Sequence, residues 1–317
     1  MSRSESRPPA ALTRAQFLRL CAAAGGMALL PARLSAAADA GRMSTRPIPS
    51  TGEALPVVGV GTWQVFDVGP TEEERAPLRD VLRLLFDAGG AMIDSSPMYG
   101  PAESVVGDLL AALDARDRAF LATKVWTDGR ERGIAQMRQS MSRFRADAID
   151  LMQVHNLVDW RTHLKTLAEW KEAGTVRYTG ITHYTESAFG DLARIMETER
   201  IDFVQLPYSI GVRGAEDRLL PLAAERGIAV IVNRPYEGGA VFRAARRGRS
   251  LPPWTAEFDC ASWGQFFLKY ILSHPAVTCV IPGTGRIDHL RDNIAAGMGR
   301  LPDGNQRRRM AGYFSEL

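Results

Sequence analysis

The sequence has little cysteine, little net charge and no apolar run long enough to span a bilayer, and each shortage excludes a class of protein. Its 317 residues include three cysteines, Cys21, Cys260 and Cys279, which form no CxxC pair and indicate neither a structural zinc site nor a redox pair. The net charge is +3, and the basic residues are interspersed with acidic ones, so no nucleic-acid footprint is indicated. The apolar segment LCAAAGGMALL falls short of the about 20 residues that a membrane span needs. We therefore expect a globular protein with no bound metal, no nucleic-acid partner and no stable membrane insertion.

The first 40 residues differ in composition from the rest and are similar to an export signal. Arg14 and Arg19 precede the apolar segment, and the small residues SAAADA that follow contain an A-x-A cleavage pattern. The stretch TRAQFLRL resembles a twin-arginine signal, although Ala15 stands where the second arginine is usual. We expect residues 1–40 to be a leader for export to the periplasm and residues 41–317 to form one catalytic domain. The alternative is a disordered tail on a cytoplasmic protein.

Eight short apolar runs typical of buried β-strands recur along the remaining chain. Most are roughly 25 to 30 residues apart, and helical patterns such as ESVVGDLLAALDA lie between them. Continuous apolar runs without strict alternation are typical of parallel strands covered by helices. The order predicts an α/β fold, a single (β/α)₈ TIM barrel. The competing fold, a doubly wound sheet, would be expected to contain a GxGxxG turn, and the segment GVGTWQ lacks its third glycine. The eight runs are PVVGVGTW, AMIDSS, FLATKV, IDLMQV, RYTGIT, FVQLPY, IAVIVN and VTCVIP.

Four residues with complementary chemistry lie at or just after the ends of three consecutive predicted strands: Asp94, Tyr99, Lys124 and His155. The C-terminal strand ends of such a barrel converge on one face. A phenol with a pKa of about 10 is a weak acid at neutral pH, and we expect the Lys124 ammonium to lower that pKa. Asp94 would pair with Lys124 and keep it charged. Tyr99 is then the proton donor and His155 orients a carbonyl group, which indicates carbonyl reduction.

On these residues the sequence resembles the aldo-keto reductase superfamily, over roughly residues 45 to 300. The resemblance implies a barrel enzyme in which a nicotinamide cofactor delivers hydride to a small carbonyl substrate while Tyr99 protonates the oxygen. It also implies a monomer. Two other functions stay open: a cofactor-binding sensor or partner-binding barrel with little turnover, and an unrelated barrel enzyme that uses Lys124 as a Schiff-base nucleophile. A lysine of that kind needs a lowered pKa, and Asp94 argues against the lowering.

The resemblance also implies a cofactor site assembled from several strand ends. The segment GTW is similar to one near the nicotinamide ribose, and Trp63 and Trp126 would wall the substrate pocket. GITHY places Thr182 and His183 where the family has a serine and an asparagine that hold the carboxamide. The expected cofactor contacts are Gly61, Thr62, Trp63, Asp94, Thr182, His183, Gln205, Asn233, Arg234, Pro235, Gly283, Thr284, Arg286 and Asn293.

The cofactor positions depart from the family pattern in two places. Asn233 stands where an aromatic side chain often stacks on the nicotinamide, and the neighbouring Arg234 can reach the pyrophosphate, whose oxygens match a guanidinium. In IPGTGRIDHLRDN, Gly283 and His289 replace a lysine and an arginine that grip the 2'-phosphate of NADP. Arg286 can compensate, and NADP is therefore favoured over NAD.

Overall fold

The computed structural model describes residues 42–245 and 250–317. The predicted leader, residues 1–40, lies outside the described residues, as does Cys21. In the described part, Cys260 and Cys279 are buried free thiols. No helix of the described residues is long and apolar enough to cross a membrane.

Eight parallel strands form the centre of the structure, which confirms the predicted barrel. Each of these strands pairs in parallel with the next along the chain. Bridges from Val58 to Val280 and from Gly61 to Gly283 join the first barrel strand to the last. A hairpin of β1 (Thr45–Pro47) and β2 (Ala54–Pro56) precedes the barrel. The barrel strands are β3 (Val60–Gly61), β4 (Met92–Asp94), β5 (Phe120–Val125), β6 (Ile149–His155), β7 (Val176–Thr182), β8 (Phe203–Pro207), β9 (Ala229–Asn233) and β10 (Val277–Val280).

Helices alternate with the strands, and their apolar faces pack on the outside of the sheet. The first helix begins with a capping box, in which the Thr71 hydroxyl and the Glu74 carboxylate each bond the backbone of the other residue. Between β9 and β10 the chain adds a short helix whose Phe242 ring packs edge-on against Phe267, at 5.3 Å between centroids. The helices are α1 (Glu72–Asp87), α2 (Ala102–Leu113), α3 (Arg130–Phe144), α4 (Trp160–Glu172), α5 (Phe189–Thr198), α6 (Leu219–Arg226), α7 (Ala240–Ala245), α8 (Trp263–Leu272), α9 (Ile287–Ala296) and α10 (Gly304–Ser315).

The barrel interior changes from apolar to polar along its axis. Side chains alternate across a strand, so every second residue points inward. On β5 the inward series runs from Phe120 through Ala122 to Lys124, and the first two belong to an apolar cluster inside the barrel. The β1–β2 hairpin adds Ile48 and Leu55 to this cluster, which places the hairpin against the N-terminal end. The polar side chains therefore gather at the C-terminal end.

Gly61 allows the first and last strands to come close enough to close the barrel. A Cβ at this position would lie 2.9 Å from the carbonyl oxygen of Ile281, closer than real side chains approach backbone. The bridge from Gly61 to Gly283 lies at the same place. A glycine is therefore required here by space, and the predicted cofactor residues of the two strands become neighbours.

Candidate active site

The structure brings all four predicted catalytic residues together at the C-terminal end of the barrel. Asp94 is the last residue of β4, Lys124 lies one residue before the end of β5, and His155 is the last residue of β6. Tyr99 lies in the turn between β4 and α2, where its amide donates a hydrogen bond to the carbonyl oxygen of Ser96. This short turn brings the phenol back over the strand ends.

Lys124 forms a buried ion pair with Asp94. Its Nζ lies 2.7 Å from Asp94 Oδ2 and 2.6 Å from the Ser95 carbonyl oxygen, and its side chain is fully buried. An ammonium group carries three donors, and these two bonds leave one free. The same Nζ lies 5.2 Å from the centroid of the Tyr99 ring. The third donor is therefore available to the phenol.

Burial and charge act in opposite directions on Lys124 and on Tyr99. Burial disfavours the ammonium, but the Asp94 carboxylate, together with Tyr99 and Glu103, outweighs this and raises the pKa of Lys124, so that the lysine stays charged as the sequence predicted. For Tyr99, burial raises the pKa, and the Lys124 ammonium opposes that rise without overcoming it. The net direction for Tyr99 is opposite to the lowering that the sequence predicted, because its ring lies in a largely enclosed position. Tyr99 is therefore a neutral phenol that still carries its proton at neutral pH.

His155 is a buried, uncharged imidazole. Burial, together with the neighbouring Lys124 and His183, lowers its pKa to about 3. Its Nδ1 lies 3.0 Å from Ser96 Oγ. The Tyr99 ring meets the imidazole edge-on, with 6.0 Å between centroids, and the Trp126 ring lies 6.2 Å away. These contacts enclose the ring and leave it unable to act as an acid at neutral pH.

A network of amide side chains links Asp94 to the predicted carboxamide site. Asp94 Oδ1 accepts hydrogen bonds from Gln205 Nε2 at 2.8 Å and from Gln153 Nε2 at 3.3 Å. Gln205 Oε1 accepts from Thr182 Oγ1 at 2.9 Å and from Asn233 Nδ2 at 3.4 Å. The Asn233 amide also donates to the His183 carbonyl oxygen, while its Oδ1 is buried without a partner among the described residues. An unpaired buried oxygen at this place can accept a hydrogen bond from a bound amide.

Large apolar side chains surround the mouth of the barrel. Trp63 is 52% exposed, Trp126 is 40% exposed and Tyr184 is 50% exposed. Tyr184 stacks on His183 with an angle of 3° between the rings. Trp63 follows Thr62, whose hydroxyl donates to Ser95 Oγ at 2.9 Å. Exposed aromatic rings grouped in this way are typical of a surface that binds an apolar ligand.

The remaining predicted cofactor residues lie after β9 and β10. Arg234 and Arg286 are exposed, and their guanidinium groups have no ion-pair partner within the described ranges. Arg286 is the N-cap of α9, and its amide donates to Thr284 Oγ1. The first amides of a helix favour phosphate. Pro235 is buried beside Arg234, and Gly283 is exposed at the mouth.

Asn293 is held within the same region by a residue that the sequence did not single out. Its Oδ1 accepts a hydrogen bond of 2.6 Å from the hydroxyl of Tyr236; Asn293 is buried and Tyr236 is partly buried. Sequence reasoning also missed Ser96 and Gln153. Gln153 lies two residues before His155 on β6, so strand alternation could have placed it inside the barrel. Ser96 offered no such signal, because it lies in a turn.

The described residues hold no cluster of three or more histidine, cysteine or acidic side chains that could bind a metal ion. The site described above offers a phenol, an ammonium, an imidazole and several amides. This set can bind a carbonyl oxygen, supply it with a proton, and hold an amide-bearing cofactor nearby.

Known proteins share sequence and fold with this chain. The sequence model of the Aldo/keto reductase family matches residues 57–307. Methylglyoxal reductase YeaE of Escherichia coli (strain K12) is 27% identical over 260 residues, which cover 80% of this chain and 89% of that protein. Aldo-keto reductase YhdN of Bacillus subtilis (strain 168) is 27% identical over 234 residues, 68% of each protein. A crystal structure of an aldo/keto reductase from Klebsiella pneumoniae in complex with NADP and acetate shares the fold, with a TM-score of 0.72 at 22% identity over 86% of this chain and 95% of that chain.

Proposed function

The chain belongs to the aldo/keto reductase family, and from this premise we propose that it reduces aldehyde or ketone carbonyls to alcohols with NADPH as the hydride donor. The observation that carries the proposal is the fully buried Lys124, paired with Asp94 at 2.7 Å and directed at the Tyr99 ring. A buried ion pair is costly to maintain, and here it lies beside the phenol of Tyr99, whose ring faces His155.

Tyr99 supplies the proton in this proposal. When bound, NADPH supplies a hydride to the carbonyl carbon, and the oxygen then needs a proton. The Tyr99 phenol gives its proton to that oxygen, and the Lys124 ammonium stabilises the phenolate that remains. Asp94 keeps Lys124 charged throughout the cycle. His155, which is neutral, holds the carbonyl oxygen between its ring and the phenol.

The residues present fit a nicotinamide cofactor. The buried, unpartnered Oδ1 of Asn233 lies beside Gln205 and Thr182, where a carboxamide NH₂ group can donate to it. Arg234 and Arg286 carry guanidinium groups that have no ion-pair partner among the described residues and that suit phosphate oxygens. We propose that Arg286 binds the 2'-phosphate and that the enzyme uses NADPH in preference to NADH. The NADP complex of the Klebsiella pneumoniae relative supports this choice.

The substrate is proposed to be a small carbonyl compound with an apolar body. Trp63 and Trp126 provide flat apolar faces at the mouth, and the Trp126 ring lies 6.2 Å from His155. A carbonyl group that reaches His155 and Tyr99 therefore has its substituents against these rings. Aldehydes, ketones and quinones with aromatic or aliphatic substituents are the compounds to test first.

Turnover by the Tyr99→Phe variant tests the proposal. NADPH and NADH oxidation would be followed with a panel of carbonyl compounds, and cofactor binding would be measured in the same samples. We expect kcat to fall by about 10²- to 10⁴-fold with binding kept, because the proton donor is lost. Tyr313→Phe, the same substitution on α10, is the matched control and should retain activity. Tight cofactor binding without turnover on any substrate would instead support a sensor.

We further propose that residues 1–40 direct export and that the barrel acts as a monomer. Both proposals rest on the sequence pattern and the family resemblance. Cell fractionation of the full chain, and of a variant with Arg14 and Arg19 replaced by glutamine, would test the first: both versions in the cytoplasm would contradict export. Size-exclusion chromatography with light scattering would test the second.

A further inference from the structure

The neutral imidazole of His155 has two tautomers, and only one of them can donate a hydrogen bond to a carbonyl oxygen. With its hydrogen on Nε2 the ring is a donor, whereas with its hydrogen on Nδ1 the Nε2 atom is an acceptor. In the structure Nδ1 contacts Ser96 Oγ at 3.0 Å, while Nε2 has no hydrogen-bond partner in the described part of the chain. The hydrogen-bond partner of Nδ1 therefore determines whether Nε2 is a donor or an acceptor.

The surroundings of Ser96 settle the direction of its hydrogen bond to His155. The serine is completely buried, and its Oγ accepts a hydrogen bond from the Met98 amide at 3.4 Å. An amide N–H can only donate, so the hydroxyl hydrogen of Ser96 has one acceptor within the described ranges, which is Nδ1 of His155. In the opposite direction, with Nδ1–H donating to Oγ, the hydroxyl hydrogen would be buried without a partner. Buried polar hydrogens are nearly always paired.

We propose that Ser96 is a positioning residue that donates its hydroxyl hydrogen to Nδ1 and thereby fixes His155 in the tautomer with a hydrogen on Nε2. This inference rests on the proposed function, in which His155 binds the carbonyl oxygen. The titratable groups that face the imidazole are Tyr99, Lys124 and His183. None of them is a carboxylate that would draw the hydrogen to Nδ1, so the serine carries this role alone among the described neighbours.

Turnover of two Ser96 variants tests the consequence for activity. In Ser96→Ala the hydroxyl that donates to Nδ1 is lost, so a part of the molecules can carry the imidazole hydrogen on Nδ1. In those molecules Nε2 directs a lone pair at the carbonyl oxygen and cannot donate to it. We expect kcat to fall about 10- to 100-fold, as when the outer partner of a metal-bound histidine is removed, with the Kd for NADPH unchanged. Ser96→Thr keeps a hydroxyl and should restore most of the activity. Ser140→Ala, at a buried serine on α3, is the matched control and should behave as the parent.

The tautomer itself can be read by nitrogen-15 NMR on the full, cofactor-free chain with labelled histidine, His155 being assigned from the His155→Gln variant. A protonated Nε2 and a bare Nδ1 in the parent, with a mixture of tautomers in Ser96→Ala, support the inference. A hydrogen on Nδ1 in the parent would overturn it, as would Ser96→Ala with the spectrum and turnover of the parent. This measurement needs no turnover, so failure of the proposed reductase activity would be seen separately, in the response to Tyr99→Phe.

Discussion

Replacing Asp94 by asparagine should leave a fully buried ammonium without a counter-charge. The carboxylate lies 2.7 Å from Lys124 Nζ, and the two side chains are 4% and 0% exposed. Asparagine keeps the shape of the side chain and can still accept the hydrogen bond from Gln205. In that orientation the new NH₂ group faces Lys124 Nζ, so the substitution removes the negative charge together with the acceptor for Lys124.

The burial of this ion pair determines how much stability Asp94→Asn should lose. Removing one partner of a buried ion pair costs about 3–5 kcal/mol, because the other charge stays buried and uncompensated. That is a large part of a free energy of unfolding of about 5–15 kcal/mol. The matched control is Asp80→Asn, where the partner Arg83 lies at 2.6 Å but both side chains are half exposed. An exposed pair is worth about 0–1 kcal/mol, so this variant should unfold almost as the parent does.

The pH dependence of the Asp94→Asn variant has a definite sign. In the parent, burial is outweighed by Asp94 together with Tyr99 and Glu103, and the pKa of Lys124 is raised. The stabilisation from Lys124 is therefore present below the unfolded pKa and is lost only as the pH rises through the higher folded pKa. In the variant, burial acts without the carboxylate and should lower the pKa of Lys124 below the unfolded value. The unfolded chain then binds more protons between the two values, and stability rises with pH across that window.

Unfolding in urea at several pH values provides the assay. The difference between parent and Asp94→Asn should be largest near neutral pH and should shrink towards about pH 9.5, by about 1.4 kcal/mol for each unit of pH inside the window. A loss of stability no larger than that of Asp80→Asn would show that the pair is not held as the structure has it. A gap that does not change with pH would show that Lys124 keeps its charge without Asp94.

Three further predictions concern the imidazole, the barrel closure and the cofactor. Burial, Lys124 and His183 lower the pKa of His155 to about 3. As the pH falls from about 8 to about 5, turnover should therefore not decrease with a midpoint near the ordinary histidine pKa of about 6.5. Such a midpoint, if it disappeared in His155→Gln, would contradict the burial argument. Gly61→Ala should lower stability by about 1–3 kcal/mol in thermal unfolding, because its Cβ would press on a backbone carbonyl, whereas the control Gly190→Ala, with open space around it, should not. Unchanged unfolding of Gly61→Ala would argue against the tight closure. Arg286→Gln should weaken NADPH binding about tenfold in fluorescence titrations, since a charge-assisted hydrogen bond to the 2'-phosphate is lost, and should leave NADH binding nearly unaltered. Equal weakening of NADPH and NADH binding would show that Arg286 does not bind the 2'-phosphate.

Much of the site could be predicted from the chain because strand periodicity places residues on faces. Asp94, Lys124 and His155 each lie at the end of an apolar run, and parallel strands in one sheet put those ends on the same side. Loop residues carry no such periodicity. Ser96, in the turn after β4, and Tyr236, after β9, therefore escaped notice although they contact His155 and Asn293.

The sequence by itself determined the barrel and the set of groups at its mouth, because hydrophobic period and strand order leave few ways to bury eight apolar runs. Only the tertiary structure decided how those groups act on one another. The net direction of the Tyr99 pKa depends on how far burial outweighs one ammonium at a given distance, and the hydrogen bond between Ser96 and His155 depends on which acceptors surround a buried hydroxyl. Both are balances between close neighbours that are distant along the chain, so they are decided by the packing of the whole barrel.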